Sequence, residues 1–174
     1  MKKILFILLS IISFSIPSFS QTMEELRKEQ NEINAQLTSM KNVNIMQLST
    51  NMLQNLPKGK SDSPLSILAK QGNLLTIKVY ELGNAEAEKT GRRLLQNYLS
   101  QMTLQNNVEP DIIVRQADDS NEVLIYGEPN NSYRTAFNSL VIFSSQKGDK
   151  SILIRIYGFV EDKTVAELIN AFSK

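Results

Sequence analysis

From Asp111 onward, apolar residues recur at every second position, and this spacing constrains the fold more than any other feature of the sequence. A period of two residues is typical of strands, and short polar turns between such segments are typical of antiparallel hairpins. Turns of this composition lie at 118–121 and 146–150. The predicted strands, which include two earlier segments, are 43–49, 74–82, 112–117, 122–127, 138–145 and 151–160. They predict a largely antiparallel sheet of five to six strands.

Three other segments carry apolar residues three and four positions apart, which is the spacing of a helix with one buried face. These predicted helices are 22–40, 85–105 and 162–172, and a shorter one is expected at 63–72. The sequence Thr22-x-x-Glu25 forms a capping box at the start of the first helix. We therefore predict an α+β fold: an amphipathic amino-terminal helix at 21–41, then a single domain at 42–174, with helices packed on one face of the sheet.

The first predicted helix also has a partial heptad pattern. Its a and d positions hold Met23, Leu26, Ile33, Leu37 and Met40. A coiled coil needs three to four heptads, and this segment is shorter. We expect the helix to pack on its own domain, and the alternative is weak self-association through residues 23–40.

The first 20 residues have the pattern of a secretory signal peptide. Two lysines precede an apolar run of 13 residues, Ile4–Ile16, which Pro17 ends. Small residues follow at Ser18 and Ser20, where a signal peptidase would read them. A helix needs about 20 residues to cross a bilayer, so the run is too short to be a membrane anchor. We predict an exported protein, periplasmic or secreted, with a mature chain that starts at Gln21 and has no transmembrane segment.

The sequence contains no cysteine, histidine or tryptophan. Disulfides, thiol nucleophiles, a lipid anchor on cysteine, imidazole-bound metals and catalytic triads with histidine are therefore excluded. Without the predicted signal peptide, 17 basic and 18 acidic residues remain, and this balance gives no net attraction to nucleic acid. We predict no metal, no cofactor and no nucleic-acid partner.

Five segments together resemble a known family. They are Val43–Leu56, Glu122–Tyr126, Leu140–Phe143, Ile152–Gly158 and Val165–Ile169. With the exported amino terminus, they resemble the domain of unknown function 4252 family, which comprises small exported proteins of Bacteroidetes-type bacteria. The resemblance covers about residues 40–174. It implies an envelope location, but the family supplies no known activity or site residues. Some members begin the mature chain with a lipidated cysteine, which this sequence lacks.

One face of the predicted sheet is a candidate binding surface. The opposite face is expected to bury Ile77, Val79, Ile112, Val114, Val123, Ile125, Ile152, Ile154 and Ile156. The candidate face then presents Lys78, Tyr80, Arg115, Tyr126, Arg155 and Tyr157. Basic groups among aromatic rings bind anionic, planar or sugar-like ligands through ion pairs, stacking and cation–π contacts. The same residues are also common on a solvated sheet face, and the amino-terminal helix is a candidate to cover this one.

Two other groups of polar residues give no clear indication of a metal site or of a catalytic site. The segment Asp118–Glu122 lacks the ligand spacing of a calcium loop and has the composition of a turn. Several carboxylates lie near the predicted strand ends, so two of them could form the catalytic pair of a glycosidase. Their spacing in the sequence does not indicate which two. We predict a non-catalytic binding or interaction module of the cell envelope that contacts a protein, a glycan or a lipid headgroup. The alternatives are a carboxylate-dependent hydrolase acting on an envelope polymer, and a structural oligomer assembled through the amino-terminal helix.

Overall fold

The computed structural model describes residues 21–55, 67–68, 74–107, 109–117 and 121–172. The predicted signal peptide at 1–20, most of the predicted turn at 118–121 and most of the predicted helix at 63–72 lie outside these ranges. Among the described residues, the helices with defined bounds are α1 (Met23–Ser39), α2 (Thr50–Gln54), α3 (Ala85–Asn106) and α4 (Asp162–Phe172). The six strands are β1 (Val43–Ser49), β2 (Leu74–Leu82), β3 (Asp111–Ala117), β4 (Asn121–Pro129), β5 (Ala136–Gln146) and β6 (Ser151–Glu161).

The strands form one sheet with the order β1-β2-β6-β5-β4-β3, and every neighbouring pair is antiparallel. The predicted α+β fold with a largely antiparallel sheet is therefore confirmed. The strand β6 crosses to the middle of the sheet, where it pairs with β2 on one side and with β5 on the other. The consecutive strands β3, β4, β5 and β6 are neighbours in space, as the predicted hairpins require.

Helices lie over both faces of the sheet, whereas the sequence predicted helices on one face. On the first face, Val165 and Leu168 of α4 pack with Ile154 and Ile156 of β6. On the second face, α1 and α3 pack against the other side of the same strands. The physical reason lies in the middle strands, which are apolar on both sides. Alternate residues of β5, such as Val141 and Ile142, belong to opposite cores, so each face needs a cover.

The helix α1 packs on its own domain, as the sequence predicted. Thr22 and Glu25 form the predicted capping box at its start. Leu26, Ile33 and Leu37 are the buried residues of this helix. Self-association through the same apolar residues would therefore require α1 to leave the sheet.

The helix α3 approaches the sheet closely at Gly91. A Cβ atom at this position would lie closer to Cδ1 of Leu82 on β2 than packed atoms allow. Asn84 caps the helix by accepting a hydrogen bond from the backbone N–H of Ala87 at 2.8 Å. Gly91 sets how closely α3 approaches the sheet, and Asn84 sets where the helix begins. Together they determine the position of Tyr98 over the sheet.

A break in the register of β3 corrects one detail of the predicted faces. The pairing of β3 with β4 shifts between Ile112 and Val114. Ile112 therefore lies opposite Tyr126, whereas Val114 lies opposite Ile125. The sequence prediction placed Ile112 on the buried face with Val114. Instead, Ile112 shares the face of Tyr126 and is 61% exposed, because a bulge reverses the alternation of side chains.

Candidate functional site

The register of the sheet places all six predicted site residues on the second face, beneath or beside α1 and α3. Lys78 on β2 pairs directly with Arg155 on β6, and Thr76 pairs with Tyr157 in the next row. Tyr80 follows Lys78 on the same side of β2, because side chains alternate along a strand. Lys78, Tyr80, Arg155 and Tyr157 therefore form one group, which we call the central cluster.

The other two predicted residues lie away from the central cluster. Tyr126 on β4 and Arg155 on β6 lie on either side of Val141, so two strand spacings separate them. Tyr126 lines a groove of about 480 Å³ between α1, the end of α3 and β3. Arg115 lies opposite Leu124 on the edge strand β3 and is exposed. The structure therefore brings together four of the six residues.

The second face is covered, so it is not the solvated sheet face that the sequence left open as one alternative. Ile33 and Leu37 of α1 and Leu94 and Tyr98 of α3 share a core with the strands on this side. Tyr80 is fully buried and Arg155 is only 5% exposed. Lys78, Tyr157 and Thr76 stay half-buried. Access to the central cluster from solvent therefore runs past these last three side chains.

Arg155 is the most unusual residue of the central cluster. Its guanidinium carbon lies 4.5 Å from the ring centre of Tyr157 and 5.3 Å from that of Tyr98, which are cation–π distances. Its buried Nε and Nη1 atoms have no hydrogen-bond acceptor in the described part of the chain. A buried donor without an acceptor loses its bonds to water and gains nothing in return. The fold thus holds a buried cation with unused donors.

Lys78 adds a second positive charge beside Arg155. Partial burial lowers the pKa of Lys78 below its ordinary value, because desolvation disfavours the charged form. Its Nζ atom donates a hydrogen bond of 3.4 Å to Oδ1 of Asn34 and lies 5.1 Å from the ring centre of Tyr80. Within the described ranges, no carboxylate forms an ion pair with either Lys78 or Arg155. Like charges on directly opposed residues destabilise a sheet.

Two tyrosines and Asn34 connect the central cluster to the covering helices. The Tyr80 hydroxyl donates to Oδ1 of Asn34 at 2.8 Å, and the Tyr98 hydroxyl lies 3.0 Å from that of Tyr80. Because the single Tyr80 proton goes to Asn34, Tyr98 donates to Tyr80. Burial raises the pKa of Tyr80 to about 12 and that of Tyr98 well above its ordinary value. Both hydroxyls therefore stay neutral and act as hydrogen-bond donors.

Sequence reasoning missed Tyr98 and Asn34 as site residues. Tyr98 belongs to the apolar stripe of α3, so its spacing indicates a core position, and only its hydroxyl signals a polar role. Asn34 lies between the buried residues of α1 and has no distinctive sequence context. Its role depends on how α1 sits on the sheet, which is a tertiary property.

A second arginine on the same face provides a comparison. Arg92 of α3 lies 4.3 Å above the ring centre of Phe143 and pairs with Glu88 at 2.8 Å and with Glu122 at 2.5 Å. Burial alone would raise the pKa of Glu88, but hydrogen bonds from Ser151 and Arg92 hold it below its ordinary value. Arg92 thus has the carboxylate partners that Arg155 lacks among the described residues.

The central cluster presents hydrogen-bond donors and positive charge. It offers a guanidinium, an ammonium and phenol hydroxyls, which stabilise acceptor oxygens and negative charge. Among the described residues, no three aspartate or glutamate side chains are close enough together to hold a metal ion. The described helices include none that is long and apolar enough to cross a membrane.

No family model, no curated protein and no solved structure matches this chain. The resemblance to the domain of unknown function 4252 family therefore stays a prediction.

Proposed function

We propose that this protein is a non-catalytic binding module of the cell envelope that holds an anionic group at the central cluster. The observation that carries the proposal is the guanidinium of Arg155, which is 5% exposed and has no acceptor for Nε and Nη1 in the part of the chain that the structure describes. A carboxylate, sulfate or phosphate oxygen would supply the missing acceptor and the missing negative charge. Hydrogen bonds to charged groups are worth about 1.5–3 kcal/mol each.

The surroundings of Arg155 support an anion rather than a neutral ligand. Lys78 lies on the adjacent strand, directly opposite Arg155, so both cations can face one ligand. An anion between them would replace repulsion with two attractive contacts. Tyr157 stacks on the guanidinium at 4.5 Å and is itself half-buried, so its ring can border the bound group.

The envelope location forms part of the proposal and is supported by the pattern of the first 20 residues. In that compartment, acidic sugars of glycans and phosphates of lipid headgroups both present anionic oxygen groups. Their shared chemistry is what the central cluster fits. Glucuronate and glycerol 3-phosphate are suitable small probes, since each carries one of the two groups.

The test is a calorimetric titration of the protein with glucuronate, glycerol 3-phosphate and inorganic sulfate. We expect binding of at least one anion, which weakens at higher salt because ions screen the charges. Arg155→Gln should abolish it. Arg93→Gln is the matched control, because it removes the same charge from a 54% exposed side chain outside the central cluster. Binding that survives Arg155→Gln, or that Arg93→Gln weakens equally, would contradict the proposal.

A further inference from the structure

Asn34 occupies the position from which an acceptor can reach two donors of the central cluster at once. Its Oδ1 atom accepts from the Tyr80 hydroxyl at 2.8 Å and from Nζ of Lys78 at 3.4 Å. Lys78 meets a neutral amide oxygen of α1 here and forms no ion pair with a carboxylate of the described residues. The amide satisfies the hydrogen bonds and leaves the charge of Lys78 uncompensated.

We propose that Asn34 is an internal substitute for the ligand, and that an oxygen of the bound anion displaces the Asn34 side chain from Lys78 and Tyr80. This inference rests on the proposed function, because it concerns the same site. The exchange is favourable because hydrogen bonds to an ionised acceptor are about twice as strong as those to a neutral one. Without the anion, Asn34 keeps an acceptor on Lys78 and Tyr80, and with the anion bound Lys78 gains an ion pair.

The position of Asn34 on the molecule is suited to such an exchange. The residue is half-buried, and its two partners belong to β2, whereas the residue itself belongs to α1. The helix is fixed at this point by the neighbouring buried side chains Ile33 and Leu37. The Asn34 side chain can therefore rotate away while α1 remains in place.

Two variants at Asn34 should change anion binding in opposite directions. Asn34→Ala removes the competing oxygen, and we expect sulfate to bind about tenfold more tightly, which is the size of one lost competing hydrogen bond. Asn34→Asp supplies a permanent carboxylate to Lys78 and Tyr80, and we expect sulfate affinity to fall by at least tenfold. The unfolding temperature of each variant is measured in the same samples, and the Asp variant should remain folded because it adds an ion pair.

Asn31 provides matched controls, because it is exposed on α1 and lies one turn before Asn34. Asn31→Ala and Asn31→Asp make the same chemical changes away from the central cluster. We expect sulfate affinity within about twofold of the unmodified protein, since their charges are exposed to solvent and screened.

The outcomes separate this inference from the proposed function. If sulfate binding depends on Arg155 but both Asn34 variants bind sulfate as tightly as the unmodified protein does, the substitute role of Asn34 is wrong and the binding function stands. If only Asn34→Ala binds sulfate, and does so through Arg155, the amide blocks the site in the unmodified protein and the inference is supported. If neither the unmodified protein nor Asn34→Ala binds sulfate or the two organic anions, both proposals are overturned.

Discussion

Replacing Arg155 with methionine should stabilise the fold, although the residue lies in the core. Nε and Nη1 are buried and have no acceptor among the described residues. Each such donor costs about 1–3 kcal/mol, which gives about 2–6 kcal/mol for both. The cation–π contacts with Tyr98 and Tyr157 stabilise the folded state by about 0.5–2 kcal/mol each and offset part of this cost. Methionine is shorter, but it removes the charge and the unpaired donors and keeps a flexible apolar side chain, so we expect a net gain of about 1–2 kcal/mol in the free energy of unfolding.

Urea unfolding followed by circular dichroism measures this change. The midpoint should rise at an unchanged slope, and the melting temperature should increase by about 2–8 °C, given about 2–4 °C per kcal/mol for a chain of this size. Arg93→Met is the control, because that side chain is 54% exposed and the change should stay within about 0.5 kcal/mol. A loss of more than about 1 kcal/mol for Arg155→Met would refute the reasoning, because it would mean that the fold already satisfies the guanidinium.

Three further predictions concern the packing of the helices. Folding raises the pKa of Tyr80 from 10.0 to about 12, so the free energy of unfolding should hold steady below pH 10 and fall as the pH rises to 12, by about 3 kcal/mol from Tyr80 and further from Tyr98, whose pKa is also raised; urea titrations across this window check it, and a flat profile would contradict it. Gly91→Ala should lower the melting temperature, because moving Leu82 costs about 1–3 kcal/mol, more than the roughly 0.5–1 kcal/mol that alanine gains over glycine in a helix, and an unchanged melting temperature would mean that Leu82 shifts at low cost. Thr22→Ala should weaken α1 by about 1 kcal/mol, visible as faster amide exchange in its first turn, and unaltered exchange there would argue against the capping box.

The strands and the hairpin order could be predicted from the sequence because both depend on local patterns. Residues 152–156 alternate between the two faces of the sheet as their period of two indicates, and β6 differs from the predicted range by a single residue at its end. The helix caps at Thr22 and Asn84 also depend only on neighbouring residues. Each of these features is determined within a few residues along the chain.

The environment of the candidate site could not be predicted, because it depends on contacts between distant segments. The pairing of β2 with β6 brings Lys78 opposite Arg155, and no local pattern specifies that two strands so far apart in sequence are neighbours. The bulge near Ile113 reverses a face without a glycine or proline to signal it. Asn34 reaches the sheet only because α1 folds back onto it.

Arg92 and Arg155 both stack on aromatic rings of the second face, but they differ in their polar partners. Arg92 stacks on Phe143 and pairs with Glu88 and Glu122, so its charge is balanced by the fold itself. Arg155 stacks on two tyrosines but, among the described residues, has neither a carboxylate nor a hydrogen-bond acceptor for Nε and Nη1. If aromatic stacking were the only requirement at position 155, an apolar side chain would fill the site without an unpaired charge. The charge at position 155 thus agrees with our proposal that an anionic ligand completes the site.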